Sequence, residues 1–250
     1  MITFTPLASS SVGNAYLVQC DGVGPLLIEA GIPVKKLRER LWARGVSLSD
    51  LAGCVVSHEH GDHAKAVKNL LKAGVEIYAS VGTAKALGIE GHHRYAGLRQ
   101  YRTSWSPSGC ESFDKPGWKI VPVPLEHDAT EPLGFFIDAP NREGALLFIP
   151  DTSYIRNRFE GVTICAIECN HVADILSENI QEGHVPVPVG RRVRRNHMSL
   201  DTVVSMLKAN DLSRCREIWL LHLSDSNSDE ARMIKAVQEA TGIPCRVAAA

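Results

Sequence analysis

The chain has 250 residues, 44% of them hydrophobic and 22% charged, which suits a soluble globular protein with a substantial core, expected as one domain over 1–250. Lysine plus arginine number 27 against 28 for aspartate plus glutamate, so net charge argues against strong non-specific attraction to nucleic acid or membrane and leaves only a local basic patch to supply one. No apolar run is long enough to cross a bilayer and the start MITFTPLASSS lacks the charged and apolar regions of a signal peptide, so a cytoplasmic protein with no membrane partner is expected.

Three candidate strands come first: ITFTPL, NAYLVQ and PLLIEAG, separated by Ser/Gly and Asp/Gly turn signals and expected to pair as antiparallel neighbours. Pro33 then opens a helix with Val34, Leu37 and Leu41 on one face, proline being tolerated in a first turn. The apolar strand GCVVS runs into SHEHGDH at 57–63, after which Ala64, Val67, Leu70 and Leu71 resume helical spacing. The histidine cluster therefore occupies a strand-to-helix turn, where rigid scaffolds carry chemistry. EIYAS, WKIVPVPL, LGFFIDA and ALLFIPD follow as strands, while residues 88–118 give no clear pattern. Cys165 and Cys169 alternate with Ile164, Ala166 and Ile167 as in a buried strand end, and the seven cysteines include no Cys-x-x-Cys pair. Helical spacing returns at Leu200, Val203, Val204 and Leu207 after Ser199, a candidate N-cap, and again from Ser228 through Ala231, Ile234 and Val237. Between those helices the strand EIWLLH ends in His222. Strands then helix, twice over, predict an α/β fold of two sheets packed face to face with helices outside.

His58, His60, Asp62 and His63 are four candidate ligands within six residues. Imidazole together with carboxylate suits Zn, Mn or Fe, whereas an oxygen-only set would favour Mg or Ca. One turn cannot aim all four at a single ion without strain. His58 and His60 can converge on one ion while Asp62 and His63 face another. His127, Asp151 and His222 each directly follow an apolar run, as His58 does. Taken singly each reads as an ordinary polar residue, but four strand ends can bring them to one edge of the sandwich.

The run His58-x-His60-x-Asp62-His63, with His127, Asp151 and His222 at strand ends, resembles the metallo-β-lactamase fold superfamily along nearly the whole chain. LASSSVGNAYLV, HDATEP, DTSY, ECNH, NHMS and LLHLSDSN bring it nearest to the YycJ-like branch, which is similar to metal-dependent exodeoxyribonucleases and related to ribonuclease Z type phosphodiesterases. The resemblance implies an αββα sandwich of two mixed β-sheets with a two-metal site on one edge. It also implies two divalent ions per chain, Zn or Mn. His58, His60 and His127 would hold one, Asp62, His63 and His222 the other, with Asp151 bridging. Two cations about 3.5–4 Å apart can acidify a shared water and screen charge on the attacked group.

His197 in NHMSLDT precedes the candidate N-cap, so it is expected at the positive end of a helix that favours an anion; its bland reading is a surface histidine. By resemblance to the ribonuclease Z type enzymes, His197 contacts the scissile phosphate and protonates the leaving group, Glu168 orients it, and Ser199 belongs to the same substrate-binding stretch. Arg191, Arg192, Arg194 and Arg195 lie within five residues just upstream. Such a run is commonly a solvated face, but beside His197 it would set guanidinium groups suited to phosphate at the mouth of the site. His171 in ECNH is expected to line the site, while His92, His93 and His184 gain no role. Glu29 stands where the superfamily commonly has an aspartate, and Asn196 and Leu200 replace a glycine and an asparagine of the branch.

The leading expectation is a two-metal phosphodiesterase that hydrolyses nucleic acid, a YycJ-like DNase, with metal-bound hydroxide attacking phosphorus and His197 protonating the departing oxygen. A cyclic nucleotide is the alternative substrate for the same chemistry. Hydrolysis of a β-lactam, lactone or thioester leaves His197 and the arginines without a task, and a non-catalytic metal-binding module does not explain the complete ligand set. If the active form is a homodimer, a partner subunit could complete the substrate pocket.

Overall fold

In the computed structural model, which describes residues 1–98, 113–115, 117–140 and 143–248, the strands form two mixed sheets. Of the unpatterned stretch 88–118, residues 99–112 and 116 lie outside the described residues. The first sheet runs in chain order: β1 (Thr3–Ala8), β2 (Ala15–Gln19), β3 (Leu26–Ile28), β4 (Gly53–Val55), β5 (Ile77–Ser80) and β6 (Tyr95–Leu98). β1, β2 and β3 pair antiparallel, as their short turns predict, and β3 to β6 are parallel because helices intervene. The second sheet comprises β7 (Phe113–Lys115), β8 (Trp118–Pro124), β9 (Leu133–Asp138), β10 (Ala145–Ile149), β11 (Ile164–Glu168), β12 (Glu217–Leu221) and β13 (Cys245–Val247). β7 to β10 are antiparallel and β10 to β13 parallel.

Alternation along the strands sorts side chains into three apolar layers. Ile164 and Ala166 of β11 face the first sheet and join Phe4, Tyr16, Val55, Phe135 and Phe148 between the sheets. Cys165 and Ile167 face the other way, against Val203 and Leu207 of α7 (Leu200–Lys208) and Met233 and Val237 of α8 (Glu230–Thr241). Both Cys165 and Cys169 are fully buried in this outer layer, which accounts for their spacing as core packing. On the opposite surface Leu37 and Leu41 of α1 (Val34–Trp42) and Leu70 and Leu71 of α3 (Val67–Lys72) cover Leu17, Leu27 and Cys54. The result is the expected αββα sandwich.

Three helices carry no pattern in the sequence reading: α4 (Val81–Leu87), α5 (Ala173–Gln181) and α6 (Val187–Asn196). α5 buries only Leu176, and α6 buries only Gly190 and Asn196. Neither presents the apolar stripe from which a core-facing helix is recognised.

Strand direction places the functional residues. β3, β4, β10, β11 and β12 are mutually parallel within their sheets, and β8, two antiparallel steps from β10, points the same way as β10. Glu29, His58, His127, Asp151, Glu168 and His222 lie at or just beyond the carboxyl ends of these strands, along one edge. Glu29 (φ 63°) and His222 (φ 54°) both adopt left-handed backbone conformations. For a residue that carries a Cβ this is unfavourable, and such strain concentrates at functional positions.

Candidate metal centre

The turn after β4 is fastened to the first sheet by backbone contacts. Asn14 N–H donates to the Asp62 carbonyl at 2.7 Å, Ala30 N–H to that of His63 at 2.8 Å, and Gly31 N–H to that of Asn14 at 2.8 Å. Gly31 is required here, because a Cβ at this position would lie 1.6 Å from the Asp62 carbonyl oxygen. The turn is thereby aimed before any ligand arrives. Gly61–Ala64 forms a single helical turn, α2, that carries Asp62 and His63 on a different bearing from His58 and His60.

His58, His127 and His222 each have one ring nitrogen held by a scaffold group, whereas His60 turns Nδ1 toward His58 and His127, and His63 Nδ1 is buried without a hydrogen-bond partner among the described residues. His58 Nδ1 lies 2.8 Å from Ser57 Oγ, and its Nε2 faces His60 Nδ1 at 3.0 Å. His127 Nδ1 donates to the Asn196 carbonyl at 3.1 Å, and its Nε2 lies 3.3 Å from the same His60 nitrogen. His63 Nδ1 faces Glu29 Oε1 at 3.5 Å; its Nε2 lies 3.3 Å from Asp62 Oδ2 and 3.5 Å from Asp151 Oδ1. His222 Nδ1 contacts Glu168 Oε1 at 3.2 Å while Nε2 faces Asp62 Oδ2 at 3.5 Å. Holding the outer nitrogen fixes the tautomer whose inner lone pair can bind metal.

Two donor sets share no residue, His58, His60 and His127, and Asp62, His63, Asp151 and His222; a third group, Asp151, Glu168, His197 and His222, overlaps the second. A tetrahedral ion with ligands at about 2.0–2.1 Å requires donors roughly 3.3–3.4 Å apart, and the separations above cluster at that edge length. Asp151 Oδ1 belongs to the second set, and its Oδ2 reaches toward the first, 3.8 Å from His127 Nε2. Among the described residues Asp151 Oδ1 and His222 Nε2 are buried without a hydrogen-bond partner. Such orphans are costly unless something binds them, and these donors fit a cation.

Electrostatics favour the same occupant. Glu29, Asp151 and Glu168 are buried, at most 3% exposed, and neither lysine nor arginine touches them among the described residues. Burial pushes the Glu29 carboxyl up, against the pull of His63 and Ser57. Burial also works against the charged forms of Asp151 and Asp62, but His222 and His63 hold both carboxyls well below the ordinary range. In return His222 is raised to about 10: burial opposes its charge, and Asp151, Asp62 and Glu168 overcome that. His58, packed among other imidazoles, is pushed down by burial and by His63. Against burial, the carboxylates push the pKa of His63 up as they do that of His222, and a bound cation would compete with protons on these rings.

Glu168 and His197 stand beside both donor sets. His197 Nδ1 lies 2.5 Å from Glu168 Oε1, and its ring centroid is 5.2 Å from that of His127 and 5.5 Å from that of His222. The other carboxylate oxygen, Oε2, accepts from the backbone N–H groups of Thr152 at 3.0 Å and Met198 at 3.2 Å, which locks the acceptor in place. Burial alone would lower the His197 pKa, and Glu168 reverses that and raises it. Ser199 caps α7 by accepting from Thr202 N–H at 3.3 Å, as its sequence position predicts. His197 also terminates α6, its N–H donating to the Val193 carbonyl at 2.9 Å. The negative end of one helix and the positive end of the next therefore meet at this residue.

A cavity of about 250 Å³ opens over the donors, lined by Ser11, His60, Asp62, His127, Asp151, Val189, Arg192, Val193, His197 and His222. Of the four arginines only Arg192 lines it. Successive helix positions turn by about 100°, so the run is distributed around α6: Arg194 donates to Ser177 Oγ at 2.8 Å on α5, and Arg191 and Arg195 are exposed outside the lining. Ser199 and His171 are not in the lining either. His171 is buried, and burial lowers its pKa to about 4. His184 is exposed beside Glu182, and His92 and His93 stack on each other away from the cavity. Several residues at the site have no role in the sequence reading. Asn14, 3.3 Å from His63 Nε2 through Nδ2, is an ordinary asparagine after a glycine. Asn196 acts through its carbonyl, a group every residue has. Asp128, paired with Arg192, becomes visible only once α6 is in place.

Fold and donor geometry together define a metallohydrolase of the metallo-β-lactamase type, a binder of divalent metal. A family model described as "Beta-lactamase superfamily domain" matches residues 26–222, and the chain belongs to that family. Among curated relatives it is 29% identical over 240 residues to Exodeoxyribonuclease YycJ of Bacillus anthracis, covering 92% of this chain and 86% of the relative. The crystal structure of the metallo-β-lactamase fold protein YhfI from Bacillus subtilis superimposes with a TM-score of 0.70 at 15% identity, covering 98% of this chain and 95% of that one. A human tRNase Z, short form, gives a TM-score of 0.60 at 15% identity over 90% of this chain and 93% of that one. Among the described residues no helix is long and apolar enough to cross a membrane.

Proposed function

We propose that this chain is a single catalytic unit that hydrolyses phosphodiester bonds in nucleic acid with two divalent cations, Zn or Mn, and acts as an exonuclease on DNA in the cytoplasm. His58, His60 and His127 would hold one ion, Asp62, His63 and His222 the other, and Asp151 both. Such a pair supplies an acidified water and neutralises charge that develops on phosphorus-bound oxygens.

The observation that carries the phosphodiester reading is the Glu168–His197 pair beside both donor sets. A bare hydrolytic metal centre needs no such pair. Glu168 fixes the Nδ1–H tautomer of the neutral ring and stabilises the imidazolium, so the remaining nitrogen, Nε2, can carry a proton to a departing alkoxide. An alkoxide leaving group needs that proton, because its conjugate acid is far weaker than the imidazolium. Arg192 adds a guanidinium at the rim for a phosphate oxygen, and the exodeoxyribonuclease name of the Bacillus anthracis relative supports DNA as substrate.

The test is to determine bound metal and then to assay the wild type, Asp151→Ala and His197→Ala on a phosphodiester reporter, single- and double-stranded DNA, RNA, cyclic nucleotides and a β-lactam. Asp151→Ala is expected to lose metal and activity together. His197→Ala is expected to keep metal and lose phosphodiester cleavage by on the order of 10²-fold or more. Wild-type cleavage of the β-lactam in preference to every phosphodiester would overturn the proposal.

A further inference from the structure

Helix α6 forms one wall of the cavity, yet apart from Arg192 and the Asn196 carbonyl that holds His127, the catalytic reading gives that wall no task. Its docked side is clear. Gly190 packs on α5, where a Cβ would fall 2.3 Å from Ile180 Cδ1, and Arg194 hydrogen-bonds Ser177 on the same side. Turning away from that side, the helix carries Val189, Arg192 and Val193 into the cavity beside His60, His127 and His197. Val189 and Val193 are one helical turn apart and so share a face. Val189 remains 49% exposed, an apolar group left at a highly polar centre with no core to join. Between the valines, Arg192 Nε and Nη2 donate to Asp128 Oδ2 at 3.0 and 2.9 Å, and its side chain is 69% exposed. An ion pair that open contributes at most about 1 kcal/mol. A phosphate that can take both guanidinium donors can therefore replace the aspartate.

We propose that α6 reads the nucleoside: Val189 and Val193 cover the sugar–base unit attached to the scissile phosphate, and Arg192 exchanges Asp128 for the next phosphate along the strand. The apolar pair matches the largely apolar face of a nucleoside, and the guanidinium one helix position away matches the anion that follows it. A cyclic mononucleotide offers the first feature without the second, so the wall favours a strand over a cyclic substrate. This inference rests on the phosphodiesterase reading and deepens it.

The metal-loaded enzyme is tested on three esters: methyl p-nitrophenyl phosphate, thymidine 5′-(p-nitrophenyl phosphate), and the latter carrying a 3′-phosphate. The wild type is expected to prefer them in ascending order. In Val189→Ser/Val193→Ser the kcat/KM ratio of the second ester to the first is expected to fall on the order of tenfold. Arg192→Gln is expected to lower the ratio of the third to the second by a similar factor. Binding of a fluorescent hexathymidylate to the metal-free protein, followed by anisotropy, is expected to weaken in both variants, with a shallower salt dependence in Arg192→Gln alone. Since these side chains are exposed or partly so, melting temperatures are expected to stay close to wild type. Unchanged ratios in both variants would overturn the nucleoside wall and leave the phosphodiesterase reading standing. Failure of the loaded wild type to cleave any of the three esters would overturn that reading and the wall with it.

Discussion

Glu168→Gln removes one charge from a fully buried side chain and keeps its shape. The new amide oxygen is expected to stay where Oε2 accepts from Thr152 and Met198, because those backbone donors cannot move. Its NH2 group then occupies the place of Oε1, which now serves Nδ1 of both His197 and His222. Donor faces donor twice, so each imidazole must shift its proton to Nε2 or give up the contact. For His222 that shift protonates the nitrogen facing Asp62 and the second donor set. Losing an orienting carboxylate behind a metal ligand costs roughly 10–100-fold in metal affinity. For His197 it removes a charge-assisted hydrogen bond of about 1.5–3 kcal/mol and with it the raised pKa of a candidate acid. Competition with a chromogenic chelator measures the first effect. Turnover of a phosphodiester ester at saturating metal isolates the second, expected as a loss of about 10²-fold in kcat. Wild-type affinity together with wild-type kcat at saturation would refute the claim that one carboxylate serves both histidines.

Chelation of the metal is expected to lower the melting temperature by roughly 5–10 °C, since a ligand at a hundredfold excess over its Kd stabilises by about 2.7 kcal/mol; a scan with and without chelator checks this, and no shift would contradict binding by the seven donors. Gly31→Ala drives a methyl group into the Asp62 carbonyl and is expected to destabilise by about 3 kcal/mol or more, read by urea unfolding of the metal-free protein. His171 links stability to pH. Its folded pKa of about 4 lies below the unfolded value near 6.5, so the unfolded chain binds the extra proton and stability falls as pH drops between those values. The loss is expected to reach about 3 kcal/mol at pH 4 and to be absent above pH 7. His171→Gln should flatten that part of the pH profile, measured by urea midpoints from pH 4 to 7.

How far the sequence is legible depends on whether a residue acts through its type or its place. Most of the strands and α1, α3, α7 and α8 are readable because each lays an apolar face on a sheet, whereas β6, β7 and β13 are not. α5 buries only Leu176 and α6 only Gly190 and Asn196, so with no core stripe to repeat they stay unread. Without α6 in view, Arg191, Arg192, Arg194 and Arg195 look like one patch at the mouth of the site. Wound into α6 they point in different directions, and only Arg192 reaches the cavity. The metal donors are legible because imidazole clusters are uncommon away from function. Ser57, Asn14 and Asn196 are not, since what they contribute is a hydroxyl, an amide and a carbonyl, all abundant elsewhere.

The left-handed backbone at Glu29 and His222 bears on how this protein would respond to selection for thermal robustness alone. Glycine, and to a lesser degree asparagine, tolerates that conformation where glutamate and histidine resist it. Replacing either residue would relax the chain, and at Glu29 it would also remove a buried carboxylate. A screen for heat tolerance run without an activity filter would therefore drift toward losing one candidate metal donor and the partner of another. The conflict is divided between the two sheets, one such residue at the end of β3 and one at the end of β12, so the hottest survivors would be expected to keep the sandwich intact and bind metal poorly.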